Sequence, residues 1–197
     1  MDWSSLGTTF VTLVVIMDPL GAAPIFLVLT SGYTPRQRQL AAVRAAGAAG
    51  AVVVLFALVG DAILRYLGVS INAVSIAGGL LLLLLSLEML RGIDFEAGPG
   101  GDVALVPLAS PLVAGPGAIA TALVLAREHS SAGGRATVVL GILGAVVVIG
   151  LTLAAADLLT RHVSPAAVQF ATRVLGLLIA AIGVELVLRG VHGAFPR

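Results

Sequence analysis

The chain has 197 residues, 59% hydrophobic and only 11% charged, with a mean hydropathy of +1.11. Soluble domains carry roughly 25% charged residues, so this composition belongs to an integral membrane protein of one compact domain. The formal net charge is +1, the eleven basic residues are all Arg and are scattered singly or in pairs, and there is no cysteine. These counts leave no support for nucleic-acid binding and exclude disulfides, thiol redox chemistry and Cys-based metal sites.

No basic residue precedes Arg36. A cleaved signal peptide needs a basic start and a short apolar core, so the first apolar segment reads as a retained span. A hydrocarbon core of about 30 Å takes roughly 20 apolar residues per helix, and six segments qualify. The first runs from about Leu6 to Thr30, with Trp3 as an interfacial anchor, and ends at the turn Ser31–Pro35. Arg36-Gln37-Arg38 then opens a polar helix start before the second span, about Leu40–Leu64, which closes on Asp61, Arg65 and Tyr66. Its Ala41–Gly50 stretch is dense in small residues, which let a neighbouring helix come close.

Gly68-Val69-Ser70 turns into the third span, about Ile71–Leu90, which closes on Glu88, Arg91 and Gly92. Ile93–Asp102 is a polar linker. The fourth span is about Val103–Ala126, followed by a polar loop from Arg127 to Arg135. The fifth, about Ala136–Leu159, ends with Asp157 and Arg161; the sixth, about Ala166–Leu188, stops at Arg189-Gly190 and leaves a short polar tail from Val191 to Arg197.

These spans repeat. Asp61 and Arg65 end span two as Asp157 and Arg161 end span five, and Glu88 to Gly92 closes span three much as Glu185 to Gly190 closes span six. The expected fold is all-α: six transmembrane helices in a single membrane domain, with repeat one over about 1–92, a linker at 93–102 and repeat two over about 103–197. Three spans per copy is an odd number, so the second copy enters the membrane from the other side. Such inverted repeats are common in secondary transporters, whose sites lie near the midplane where broken helices meet. The Arg cluster after span one puts that loop in the cytoplasm and both termini outside. Six helices make a thin bundle, which favours a homo-oligomer, and the small-residue faces of spans two and five (the latter with Gly141, Gly144 and Gly150) suit either internal packing or a dimer.

The breaks sit in spans one and four. Asp18-Pro19-Leu20-Gly21-Ala22-Ala23-Pro24 and Ser110-Pro111-Leu112-Val113-Ala114-Gly115-Pro116-Gly117 each carry two prolines five apart, with a Leu after the first. A proline has no N–H and clashes with the carbonyl four residues earlier, so Pro19 and Pro24 should free the carbonyls of Val15 and Leu20, and Pro111 and Pro116 those of Pro107 and Leu112. Such backbone must be buried in protein or line a wet cavity. The half-helices starting there present free N–H groups and a positive dipole end suited to an anionic group. Freed carbonyls and the Asp18 carboxylate suit an ammonium, a proton or Na⁺, so facing breaks could hold a zwitterion. A charge at the bilayer centre costs ~2.5–3.5 kcal/mol on insertion scales and marks a functional site by default. The expected substrate-binding residues are Asp18, Pro19, Gly21, Pro24, Ser110, Pro111, Gly115, Pro116, Gly117 and Thr121.

Asp61–Arg65 and Asp157–Arg161 are four-residue pairs near helix ends, readable as interfacial ion pairs or as gates; Glu88 with Arg91 and Glu185 with Arg189 read the same way. Asn72, Ser75, Ser86, Gln169 and Thr172 suit the cavity or interhelical hydrogen bonds. His129, His162 and His192 fall in loops or the tail, and there is no buried Ser–His or metal set and no phosphate-binding loop. The chain therefore reads as no enzyme, with no cofactor and no metal.

Three stretches, Val15–Pro24, Ile76-Ala77-Gly78-Gly79-Leu80 running to Glu88-Met89-Leu90, and Val106–Ile119, resemble the MarC (UPF0056) family of six-span bacterial and archaeal inner-membrane proteins. The resemblance covers essentially the whole chain. It implies transport of small neutral amino acids such as glycine or alanine, with coupling to H⁺ or Na⁺ by analogy. By position it singles out Asp18, Pro19, Gly21, Pro24, Ser110, Pro111, Gly115, Pro116 and Gly117. An exporter of drugs or other hydrophobic solutes, or a non-transporting membrane partner, would instead tolerate loss of Asp18.

Overall fold

The computed structural model describes residues 3–91 and 115–195, and among these every regular element is a helix. In chain order they are α1 (Trp3–Met17), α2 (Pro19–Leu29), α3 (Pro35–Tyr66), α4 (Ile71–Arg91), α5 (Pro116–Glu128), α6 (Ala132–Ala154), α7 (Ala156–His162) and α8 (Pro165–Ala194). Five stretches are long and apolar enough to cross a membrane: Trp3–Leu27, taken across the α1–α2 break, Pro35–Tyr66, Ile71–Arg91, Gly133–Ala154 and Ala166–Ala194. Of the expected fourth span only α5 falls within the described residues. The linker and the start of that span, with Ser110 and Pro111, lie outside them.

Helix ends follow from local chemistry. Thr34 caps α3: its hydroxyl accepts the Gln37 N–H at 3.3 Å and the Gln37 side chain accepts the Thr34 N–H at 2.9 Å, with Pro35 in the first helical position. The second span therefore includes its polar start and runs five residues upstream of Leu40. Ser164 caps α8 in the same way through the Ala167 N–H, again with a proline next. At its far end α8 continues to Ala194, so most of the expected polar tail is helix. The fifth span also departs from expectation. It is interrupted at Ala155, whose N–H turns back to Leu151 and Leu153 oxygens, and α7 restarts with no side-chain cap.

Packing relies on small residues. Gly79 of α4 and Gly183 of α8 meet so closely that a side chain at either would strike the other's backbone carbonyl. Gly50 of α3 lies under Val146 of α6, Gly150 of α6 under Ala46, and Gly141 and Gly144 of α6 against Thr9 and Phe10 of α1. The small faces of spans two and five are thus used inside the bundle. Helix association in lipid gains from van der Waals contact and has no hydrophobic drive between helices, so close backbone approach supplies the cohesion. α5 is seated between α3 and α4, with Leu123 over Gly60, Ala120 against Gly78 and Gly117 beneath Leu82. Leu55, Leu84, Leu143, Leu151 and Leu177 point outward, as hydrocarbon surroundings permit.

Candidate functional site

The first span breaks at one residue. Asp18 stands between α1 and α2 with φ 37°, the only non-glycine residue with positive φ among those described. Pro19 supplies the local cause: a proline ring drives the preceding residue out of the right-handed helical region. Aspartate is among the few side chains that enter the left-handed region at modest cost. The chain then restarts at once. Asp18 Oδ1 accepts the Gly21 N–H at 3.1 Å and the Asp18 carbonyl accepts the Ala22 N–H at 3.0 Å, so Asp18 caps α2.

Two expectations change here. The Val15 carbonyl is not orphaned, because it accepts the Asp18 N–H at 3.3 Å across a tight turn. Pro24 does not break the chain either. It sits inside the continuous helix α2, where it withholds only the N–H that would have answered Leu20.

Asp18 is 6% exposed, on a segment where Met17, Ala22 and Ala23 are buried too, and no arginine or histidine pairs with it among the described residues. A side chain at Gly21 would run into the Asp18 carboxyl and lie 3.4 Å from Thr172 Oγ1. The acid therefore folds over a bare stretch of α2 beside α8.

The second break has a different start. α5 begins at Pro116, the second proline of its motif, with Gly115 as its cap in ordinary extended geometry (φ −64°, ψ 163°) and no side-chain cap. Gly115 and Gly117 are buried and Pro116 is exposed. About a turn and a half further in, Thr121 is 3% exposed and its hydroxyl has no hydrogen-bond partner among the described residues; Thr9 of α1 is in the same condition. A buried hydroxyl without a partner costs free energy, and α1 and α5 pack together.

The expected ion pairs are partly rearranged. Arg65 reaches Asp61 at 2.6 Å as anticipated, but Arg127 from the end of α5 joins the same carboxylate. Asp157 on α7 faces Arg38 of α3 at 3.7 Å, and Arg38 also donates to the Thr30 carbonyl at 3.2 Å. The Arg161 side chain lies outside the described residues. Arg189 bridges Glu185 and Glu128, each at 2.9 Å. The Ser75 and Ser86 hydroxyls bond carbonyls of their own helix, at 3.0 and 2.7 Å, in place of a neighbouring helix, and Gln169 is exposed. Thr172 is the residue whose place only the structure reveals. The sequence marked it only as one of several polar residues suited to the cavity or to an interhelical hydrogen bond.

The MarC family integral membrane protein profile matches residues 3–195. The chain belongs to this family. Among MarC relatives it is 37% identical to the UPF0056 membrane protein MJ1677 of Methanocaldococcus jannaschii, covering 98% of this chain and 99% of that protein. It is 28% identical to YvbG of Bacillus subtilis over 100% of this chain and 98% of the relative, and 29% identical to YhcE of Escherichia coli over 95% and 92%. No solved structure matches the chain.

Proposed function

We propose that this MarC protein is a secondary transporter of small solutes, most simply small neutral amino acids such as glycine or alanine, bound where spans one and four are interrupted. The observation that carries this reading is Asp18: a carboxyl group 6% exposed, at a helix break inside an apolar span, with no cationic side chain paired to it among the described residues. An ionisable group inside a membrane span is a functional group by default. The start of α5, whose cap Gly115 carries no side chain, offers the opposite polarity, since helix N-terminal N–H groups favour anions. A zwitterion has one group for each.

In this reading the two halves are inverted copies in the plasma membrane of a bacterium or archaeon, with both termini outside. Cross-pairing supports the symmetry. Asp61, ending span two, takes Arg127 from the end of span four, while Asp157, ending span five, faces Arg38 from the start of span two. Each acid thus meets an arginine of the other half, at opposite ends of the bundle, where such pairs can act as gates. The chain acts as no enzyme and needs no cofactor beyond H⁺ or Na⁺ as coupling ion.

The test is uptake of labelled glycine and alanine into proteoliposomes, with and without an imposed proton or sodium gradient, for the native protein and Asp18→Asn. Gradient-driven accumulation lost in the variant is the expected result. No uptake under either gradient, from protein shown to be folded, overturns the amino-acid reading.

A further inference from the structure

The carboxyl group of Asp18 is more than its capping role requires. Asparagine and serine cap a helix about as well as aspartate, and asparagine also tolerates the left-handed backbone. Either would avoid burying a group that ionises. The cap engages only Oδ1, through the Gly21 N–H at 3.1 Å. That N–H is the one hydrogen-bond partner found for the side chain among the described residues, and a carboxylate offers about four lone-pair positions.

The other oxygen has a definite neighbourhood. The point where a Gly21 side chain would begin collides with Oδ2, lies 2.9 Å from Asp18 Cγ, and is 3.4 Å from Thr172 Oγ1. Two oxygens, one on the residue that caps α2 and one on α8, therefore approach each other over Gly21, and the carboxyl fits there only because residue 21 has no side chain. Arg173, next along α8, is exposed and makes no ion pair with Asp18 among the described residues. Nothing cationic in the described chain answers this pair of oxygens.

We infer that Asp18 Oδ2 and Thr172 Oγ1 form, over Gly21, a subsite for one small monovalent cationic group. Two sources share that chemistry: the ammonium of a transported amino acid, which presents N–H donors, and free Na⁺, which takes oxygen ligands. The inference deepens the transport reading and rests on it for the ligand's passage, but binding at the subsite is measurable without passage. Thr172 accepts from or ligates the group, Asp18 balances its charge, and Gly21 leaves room for the carboxyl.

Binding is measured on the purified, detergent-solubilised protein by equilibrium dialysis of labelled glycine and of labelled Na⁺, each with choline as the inert control cation. Circular dichroism and thermal unfolding establish that each variant is folded. Asp18→Asn should abolish saturable binding of whichever probe the native protein takes. Thr172→Val should weaken it about tenfold and Thr172→Ser should restore it to within about threefold, the scale of one hydrogen bond to a charged group. Glycine bound in choline medium identifies the ammonium; Na⁺ bound without glycine identifies the metal ion. Native binding retained in both Asp18→Asn and Thr172→Val overturns the subsite, as does a folded native protein that binds neither probe. Uptake unchanged by these variants would sink the subsite and leave transport standing, whereas binding without uptake would do the reverse.

Discussion

The two helix starts at the breaks share a sequence pattern and differ in almost everything physical. α2 starts at the first proline of its motif and α5 at the second. α2 is capped by the carboxyl group of a left-handed residue; α5 is capped by a glycine in relaxed extended geometry, with no side-chain cap among the described residues. The difference teaches that a proline pair marks a zone of interruption and leaves the polarity of the opening to the capping residue. With its own carboxyl group folded over it, the start of α2 has its N–H groups answered from within and turns an acceptor oxygen outward. The glycine cap of α5 puts no side chain of its own on that helix's positive end.

The strongest way to break this contrast is Asp18→Asn, which keeps a cap but removes the charge. Losing one partner of a buried charged contact costs about 3–5 kcal/mol, so gradient-driven uptake should fall by at least about a hundredfold, read as initial rates in proteoliposomes. Gly21→Ala comes next. Its new methyl needs the place the carboxyl occupies, and overpacking of this kind costs about 1–3 kcal/mol; substrate affinity should drop while the bundle still folds, checked by dialysis beside circular dichroism.

Thr121→Val sharpens the other side. If its partnerless hydroxyl is present for a ligand, removing it should raise thermal stability, by about 1 kcal/mol at most, and lower uptake; stability and uptake falling together would point to packing instead. Disrupting the half-exposed Asp61–Arg127 pair with Arg127→Gln should cost below about 1 kcal/mol of stability. A shift in the ratio of inward to outward flux would identify it as a gate. The smallest effect belongs to Gly115→Ser, which gives α5 the side-chain cap it lacks. Helix stability should gain about 0.3 kcal/mol, seen in thermal unfolding, and competition by carboxylate-bearing solutes should weaken.

Much of this was readable without coordinates. Composition put the chain in a bilayer, and Asp18-Pro19 located the first interruption, because proline acts on its immediate neighbours. The four-residue spacing of Asp61 and Arg65 brought them to one helix face, and Arg65 is found there at 2.6 Å. The role of Pro24 was not readable. A proline inside a helix is tolerated when surrounding helices hold the segment in place, and α2 is held by α6, α7 and α8. Nor was the stop at Ala155, in a run of alanines that favours helix. There the restart as α7 comes with contacts to α2 and the approach of Asp157 to Arg38.

The sequence by itself determined the membrane class, the family, the position of the first break and the one acid inside it. These depend on hydropathy, proline geometry and local spacing, which act over a few residues. Only the tertiary structure decided that Asp61 takes Arg127, that Asp157 meets Arg38, and that Thr172 stands over Gly21 beside Asp18. Those neighbours come from helices far apart in the chain. Their meeting is set by which small-residue faces allow backbones to close, a choice made among all the helices at once.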